Sequence, residues 1–225
     1  TDRSVIVISV VNTKGGVGKT TLASALAVRA AQEGRVAMVD LDPQRSLVSW
    51  WARRGKSDNP EIFEGPETAQ DAVEALRLNS PYNYVFIDGP PAHLMTIEDM
   101  VQAADYVLIP IKPSAHDLIA SQDAVVLARR AEADFGIVFN DVRRGETVVR
   151  SARNELLNFD LPILTTEIRH RVSHINAAAK GKSAAELRDK AANGEIDELW
   201  AEVRQAASSA AQRRAKAGGE RAHGR

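Results

Sequence analysis

Residues 13–21 read Thr13-Lys14-Gly15-Gly16-Val17-Gly18-Lys19-Thr20-Thr21, packing three glycines, two lysines and three hydroxyl side chains into one short stretch. Such a stretch can hold a phosphate chain. Gly15, Gly16 and Gly18 let backbone N–H groups turn inward around phosphate oxygens, where a Cβ would intrude. A helix opening near Gly18 points its positive dipole end at the same anion. Lys19 can reach the β- and γ-phosphates of a nucleotide, and the Thr20 hydroxyl can ligate Mg²⁺. The usual form of the loop is G-x-x-x-x-G-K-[ST]. Here Thr13 stands at the first glycine, and an additional lysine, Lys14, precedes a glycine pair. A lysine at the start of the loop reaches the phosphates of its own nucleotide poorly, but could reach those of a facing subunit.

Acidic residues occur where such a loop needs them. Asp40-Leu41-Asp42-Pro43-Gln44 follows an apolar run, and Asp88 ends another before Gly89-Pro90-Pro91. Open sheets bind ligands outside the carboxyl ends of their strands, so acids there can hold a metal-bound water or orient an attacking one. Taken alone, each would read as a polar strand-to-helix turn; the lysine-rich loop tips the reading toward chemistry. Asn140 also ends an apolar run, where it either reads a base edge or starts a turn. The histidines show no metal-ligand spacing beyond His170 and His174, which read as surface groups. Trp50 and Trp51 read as core residues.

The elements that must position these groups alternate along the chain. Short β-branched runs at Val5–Val11, Arg35–Asp40, Tyr84–Asp88, Tyr106–Ile111, Gly136–Asn140 and Leu161–Thr165 predict strands. Helical spacing is found over Thr20–Glu33 and near residues 44–54, 67–78, 94–104, 115–132 and 146–158. Buried strands alternating with helices predict an α/β fold, a single P-loop domain with a mostly parallel, doubly wound sheet and helices on both faces. Ile196, Leu199, Trp200 and Val203 form one stripe of a closing helix. The domain is expected to span residues 1–214, and the Gly/Arg-rich residues 215–225 to be a disordered tail.

Composition narrows the classes. The 225 residues include no cysteine, which excludes disulfides, thiolate zinc sites, cysteine-held iron–sulfur clusters and a cysteine nucleophile. No apolar run is long enough to span a membrane and no signal-peptide pattern opens the chain, so a cytoplasmic setting is expected. The net charge of −1 is unevenly spread: residues 141–225 hold 16 basic and 12 acidic side chains. That bias is either a solvated helical face or a basic surface for a polyanion.

The KGGVGKTT stretch resembles the deviant phosphate loop of the ParA/MinD ATPases, and the likeness covers most of residues 4–205. Asp40–Gln44 is similar to the D-x-D-P-Q switch segment of ParA proteins, and Asp88 to the Walker B aspartate. Asp105–Pro113, Ile137–Asn140 and Arg169–Lys182 fall where the family has its later strands and the stretch before its closing helices. The length is most similar to small plasmid-partition ParAs of the ParF type, without an N-terminal helix-turn-helix segment.

The resemblance implies that Lys14 crosses a dimer interface, that Lys19 and Asp42 complete the catalytic set, and that Asp42 orients the attacking water. Gly15 to Thr21 would bind ATP together with Lys14 and Asn140, while Thr20, Asp42 and Asp88 would hold Mg²⁺ directly or through water. Asp40, Asp42, Pro43 and Gln44 would form the switch. It further implies a slow, partner-stimulated ATPase that dimerises on ATP, binds non-specific double-stranded DNA at the nucleoid and positions a plasmid, chromosome or other cargo. A ParB-like or cargo adaptor would supply the stimulation. Arg144, Arg150, Arg153, Arg169, Arg171, Lys180 and Lys182 are candidate DNA contacts. The alternative is a MinD-like membrane-associated regulator, but past Val203 the closing helix offers only alanine as its apolar residue, so no membrane partner is expected.

Overall fold

The computed structural model describes residues 5–65, 67–78, 81–143 and 146–223. Seven strands form one sheet: β1 (Ile6–Val10), β2 (Val36–Asp40), β3 (Glu61–Ile62), β4 (Tyr84–Asp88), β5 (Tyr106–Ile111), β6 (Phe135–Val142) and β7 (Ile163–Arg169). Their order is β3-β2-β4-β1-β5-β6-β7, and every pairing is parallel. The helices are α1 (Lys19–Ala30), α2 (Ser46–Arg53), α3 (Ala69–Arg77), α4 (Leu94–Ala103), α5 (Ala115–Ala120), α6 (Gln122–Arg130), α7 (Glu146–Asn158), α8 (Val172–Ala178) and α9 (Lys190–His223).

The two-residue period of β1 divides the core. Val5, Val7 and Val11 pack with α3, α4 and α6 on one face, while Ile8 and Val10 pack with Leu22, Leu26 and the α9 stripe on the other. Ile196, Leu199, Trp200 and Val203 are all buried, and the Trp200 ring meets Tyr84 edge-on at 4.9 Å. Trp50 is core as expected, with its indole N–H donating to the Lys182 carbonyl at 3.2 Å.

The topology decides where chemistry can occur. From β1 the chain first builds β2 and β4 to one side and then β5 to the other, so a crevice opens at the carboxyl end of β1. Register then places Val10 opposite Asp88, and Asp88 opposite Asp40. The loop that follows β1, Asp88 and Asp40 therefore share one rim.

Three features differ from the sequence expectation. The two-residue β3 is too short to leave a periodic signal. The single helix expected over 115–132 is broken at Ser121, which is buried, accepts from Asn12 Nδ2 at 2.9 Å and donates to the Asp117 carbonyl at 2.8 Å. The closing helix continues to His223, through residues expected to form a tail. Arg213 pairs with Asp134 at 2.6 Å and Arg214 donates to the carbonyls of Ala104 and Gln102, docking the helix before that point.

Candidate functional site

The loop between β1 and α1 is shaped by its glycines. Gly16 and Gly18 have φ of +71° and +94°, in the left-handed region that side chains disfavour. At Gly18 space is also lacking, because a Cβ would lie 2.2 Å from Asn140 Nδ2. That amide donates to the Val17 carbonyl at 2.7 Å. Asn140 thus clamps the loop while its Oδ1 stays free, so the structure supports a positioning role beside any contact to a base.

Lys19 is buried at the first position of α1, with Nζ 3.3 Å from the Lys14 carbonyl. Burial pulls its ammonium below its ordinary value, against the opposing charges of Asp88 and Asp42. Thr20 Oγ1 donates to Asp88 Oδ2 at 2.5 Å. Asp88 is fully buried, and its Oδ1 has no hydrogen-bond partner. Burial raises this carboxyl to about 7, helped by Asp40 and Asp42 and opposed by Thr20 and Lys19. An orphaned carboxylate oxygen beside a threonine hydroxyl fits a hydrated Mg²⁺, which would restore the missing interaction.

Asp40 and Asp42 are held differently. Asp40 accepts the backbone N–H of Asp42 at 3.1 Å and of Val48 at 3.0 Å, tying the end of β2 to the first turn of α2. Burial raises the Asp40 carboxyl above its ordinary value, against these hydrogen bonds. Among the described residues the Asp42 carboxylate accepts only the Gln44 N–H, at 2.9 Å, which leaves its other oxygen open. Pro43 and Gln44 are exposed in the intervening turn.

Lys14 points elsewhere. Its ammonium pairs with Asp117 in the first turn of α5, and its backbone N–H donates to Asn12 Oδ1 at 2.8 Å. The unusual Thr13 is explained by the same junction, because its hydroxyl donates to the Ala120 carbonyl at 2.8 Å. Asn12 Nδ2 also donates to the Pro110 carbonyl at 2.8 Å. The beginning of the phosphate loop is thereby fastened to the α5–α6 break. Asn12 and Asp117 were not singled out from the sequence. Ser114 three residues before Asp117 is a helix N-cap signal, and Ser114 does accept the Asp117 N–H at 3.1 Å, but nothing local connects either residue to Lys14.

Beside the loop lies a pocket of about 320 Å³ walled by Gly16, Thr21, Lys112, Asn140, Arg171 and His174. The size suits a base and sugar. His174 is half-buried rather than a surface group, its Nε2 lacks a partner, and burial holds its imidazole below the ordinary value. His170 pairs with Asp141, which also pairs with Lys112 at 2.9 Å.

The basic residues picked from the sequence separate into two groups. Arg153 binds Glu167 at 3.2 Å and the Leu164 carbonyl at 3.0 Å, over the Phe139 ring. Arg171 pairs with Glu195, and Arg169 lies 3.5 Å from Glu167. These three are engaged internally. Arg150, Lys180 and Lys182 are exposed. Arg144 lies outside the described residues.

Comparison with known proteins agrees with this geometry. The family model described as "CobQ/CobB/MinD/ParA nucleotide binding domain" matches residues 8–184. The chain is 31% identical over 207 residues to the maintenance of carboxysome distribution protein A of Halothiobacillus neapolitanus, covering 87% of this chain and 95% of that protein. It is 36% identical over 189 residues to the protein of the same name from Gloeobacter kilaueensis, covering 82% and 86%. Among solved structures, that of Cyanthece apo McdA superposes with a TM-score of 0.70 at 19% identity, over 90% of this chain and 99% of that one. The chain belongs to the CobQ/CobB/MinD/ParA nucleotide-binding family and is an ATPase of the ParA/MinD type.

Proposed function

We propose that this ATPase positions a cargo by cycling between an ATP-bound dimer that holds non-specific duplex DNA and a released monomer. The observation that carries the reading is the division between the two loop lysines. Lys19 is buried under its own phosphate loop, whereas Lys14 is drawn to Asp117 on α5. Lys14 is held away from that role by Asp117, and by leaving this carboxylate it would reach a nucleotide on a facing subunit. Thr20 and Asp88 would hold Mg²⁺, and the ion supplies charge neutralisation at the β- and γ-phosphates. The open oxygen of Asp42 suits it to orient a water molecule, with Lys19 stabilising developing phosphate charge. A protein adaptor that links the cargo would stimulate hydrolysis.

Likeness over nearly the whole length to two carboxysome-distribution proteins favours a protein-shelled compartment as cargo over a plasmid. Localisation on the nucleoid follows from the DNA half of the proposal. Among the described residues no helix is long and apolar enough to cross a membrane.

Light scattering with ATP tests the division of lysines. Lys14→Ala should keep nucleotide binding and lose ATP-dependent dimerisation; a variant that dimerises like the parent overturns the reading. Asp42→Ala should still dimerise while hydrolysing at least about a hundredfold more slowly. Parental adaptor-stimulated turnover in that variant removes Asp42 from the water-orienting role.

A further inference from the structure

Helix α2 begins at the switch and ends against a segment more than a hundred residues away in sequence. Three groups near its C-terminus donate to carbonyls of that segment: Trp50 Nε1 to Lys182 at 3.2 Å, Arg53 Nε to Ala178 at 3.2 Å and Arg54 Nη1 to Gly181 at 3.1 Å. Gly181 has a φ of +63°, and a Cβ there would sit 2.2 Å from the Arg54 nitrogen. Glycine is what allows the two backbones to touch. Arg54 is further held by two 2.9 Å hydrogen bonds to Glu186, so its charge is consumed within the junction.

The cations around it are not consumed. Lys180 and Lys182 are exposed on the segment, and Arg53 and Lys56 are exposed at the end of α2. Among the described residues none of these four forms an ion pair, unlike Arg153 and Arg171. Arg53 uses only Nε on Ala178, which leaves both terminal guanidinium nitrogens free. Two cations from each side of one backbone contact make a positive corner. That suits phosphates presented in a row, which point charges can neutralise without reading bases.

We propose that this corner receives the phosphate backbone of duplex DNA, with Arg53 and Lys56 joining Lys180 and Lys182 in one composite surface. The proposal rests on the reading of the chain as a DNA-held positioning ATPase and assigns the contact within it. It also gives the contact a link to nucleotide state. Asp40 caps the N-terminal turn of α2 at Val48, and Arg53 follows five residues, about 7.5 Å, further along the helix. A shift of the switch acids on nucleotide contact is transmitted along a rigid rod to half of the cations. By reciprocity, DNA on the corner must bias the switch equally.

The test is a titration of labelled random duplex with the full chain and ATP at several salt concentrations, using the parent, R53Q/K56Q, K180Q/K182Q and, on the exposed end of α6, R130Q. Circular dichroism and ATP-dependent dimerisation establish that each variant is folded. Each double variant should bind at least about tenfold more weakly and flatten the log–log salt slope by about 0.9 per lost contact. R130Q should keep the parental slope, and intrinsic hydrolysis should persist in all of them. A folded R53Q/K56Q variant with the parental slope overturns the composite surface while leaving the DNA-bound reading intact. A parent that binds duplex in neither nucleotide state overturns that reading itself. Binding of the parent to phosphatidylglycerol vesicles but not to duplex assigns the corner to a membrane and overturns DNA as its occupant.

Discussion

Two aspartates are buried at opposite ends of the sheet, and their surroundings differ. Asp105, just before β5, accepts the Val7 N–H at 2.9 Å and two hydrogen bonds from Arg77 at 2.9 and 3.0 Å, with Arg214 at 3.9 Å. Asp88, closing β4, has one partner on Oδ2 and none on Oδ1, and its carboxyl is pushed up to about 7. The first is arranged as an anchor that ties α3 and α9 to the amino end of the sheet. The second is left incomplete in the free protein. A buried polar group without a partner costs stability, and a bound cation would offset that cost.

The largest effect that would break this contrast concerns Asp88. Asp88→Asn should lose at least about a hundredfold in turnover. The same change should stabilise the nucleotide-free protein by about 2 kcal/mol at pH 8. The sign follows from the raised value: the native state keeps a proton that the unfolded state, near 3.8, has released. Native stability from this group is therefore present below about pH 4 and lost as pH rises to about 7. The gain from Asn should accordingly shrink toward pH 5. Urea unfolding at pH 5 and pH 8 measures it, and a destabilised variant at pH 8 would show Asp88 to be a structural anchor.

Asp105→Ala should act oppositely, with an unchanged phosphate loop but about 3 kcal/mol less stability, since Arg77 and the Val7 N–H lose their partner. Urea midpoints report the loss, and ADP affinity near the parental value completes the contrast. A loss of less than about 0.5 kcal/mol would leave Asp105 no anchoring role.

The smallest effect sharpens the comparison within the catalytic rim. Thr13 is fully provided for, since its hydroxyl meets the Ala120 carbonyl. Thr13→Gly, which restores the usual loop, should cost about 1 kcal/mol and leave ATP affinity within about twofold. A larger change in affinity than in stability would mean that Thr13 shapes the phosphate site directly.

Much of this rim was legible because its parts are contiguous. The loop from Lys14 to Thr21, the Asp40–Gln44 turn and Asp88 each combine a strand end with residue types whose chemistry is local. Asp117 was not legible as the partner of Lys14, because 103 positions separate them and only the β1–β5 pairing and the Ser121 break bring them together. The helical course of α9 to His223 was missed for a related reason. Composition argues against a packed tail, but the docking of Arg213 and Arg214 on the base of the sheet is a long-range event.

What the sequence determined by itself was the class of ligand and the alternation of strands and helices. Glycine spacing, lysine reach and two-residue apolar period are properties of neighbouring residues, and they survive in any packing. The tertiary structure decided how the charges are distributed in use. Arg153 and Arg171 are held by Glu167 and Glu195, while Arg53 and Lys56 are left free beside Lys180 and Lys182. Charge counts along a chain are additive, but the availability of each charge depends on which carboxylate the fold places within reach.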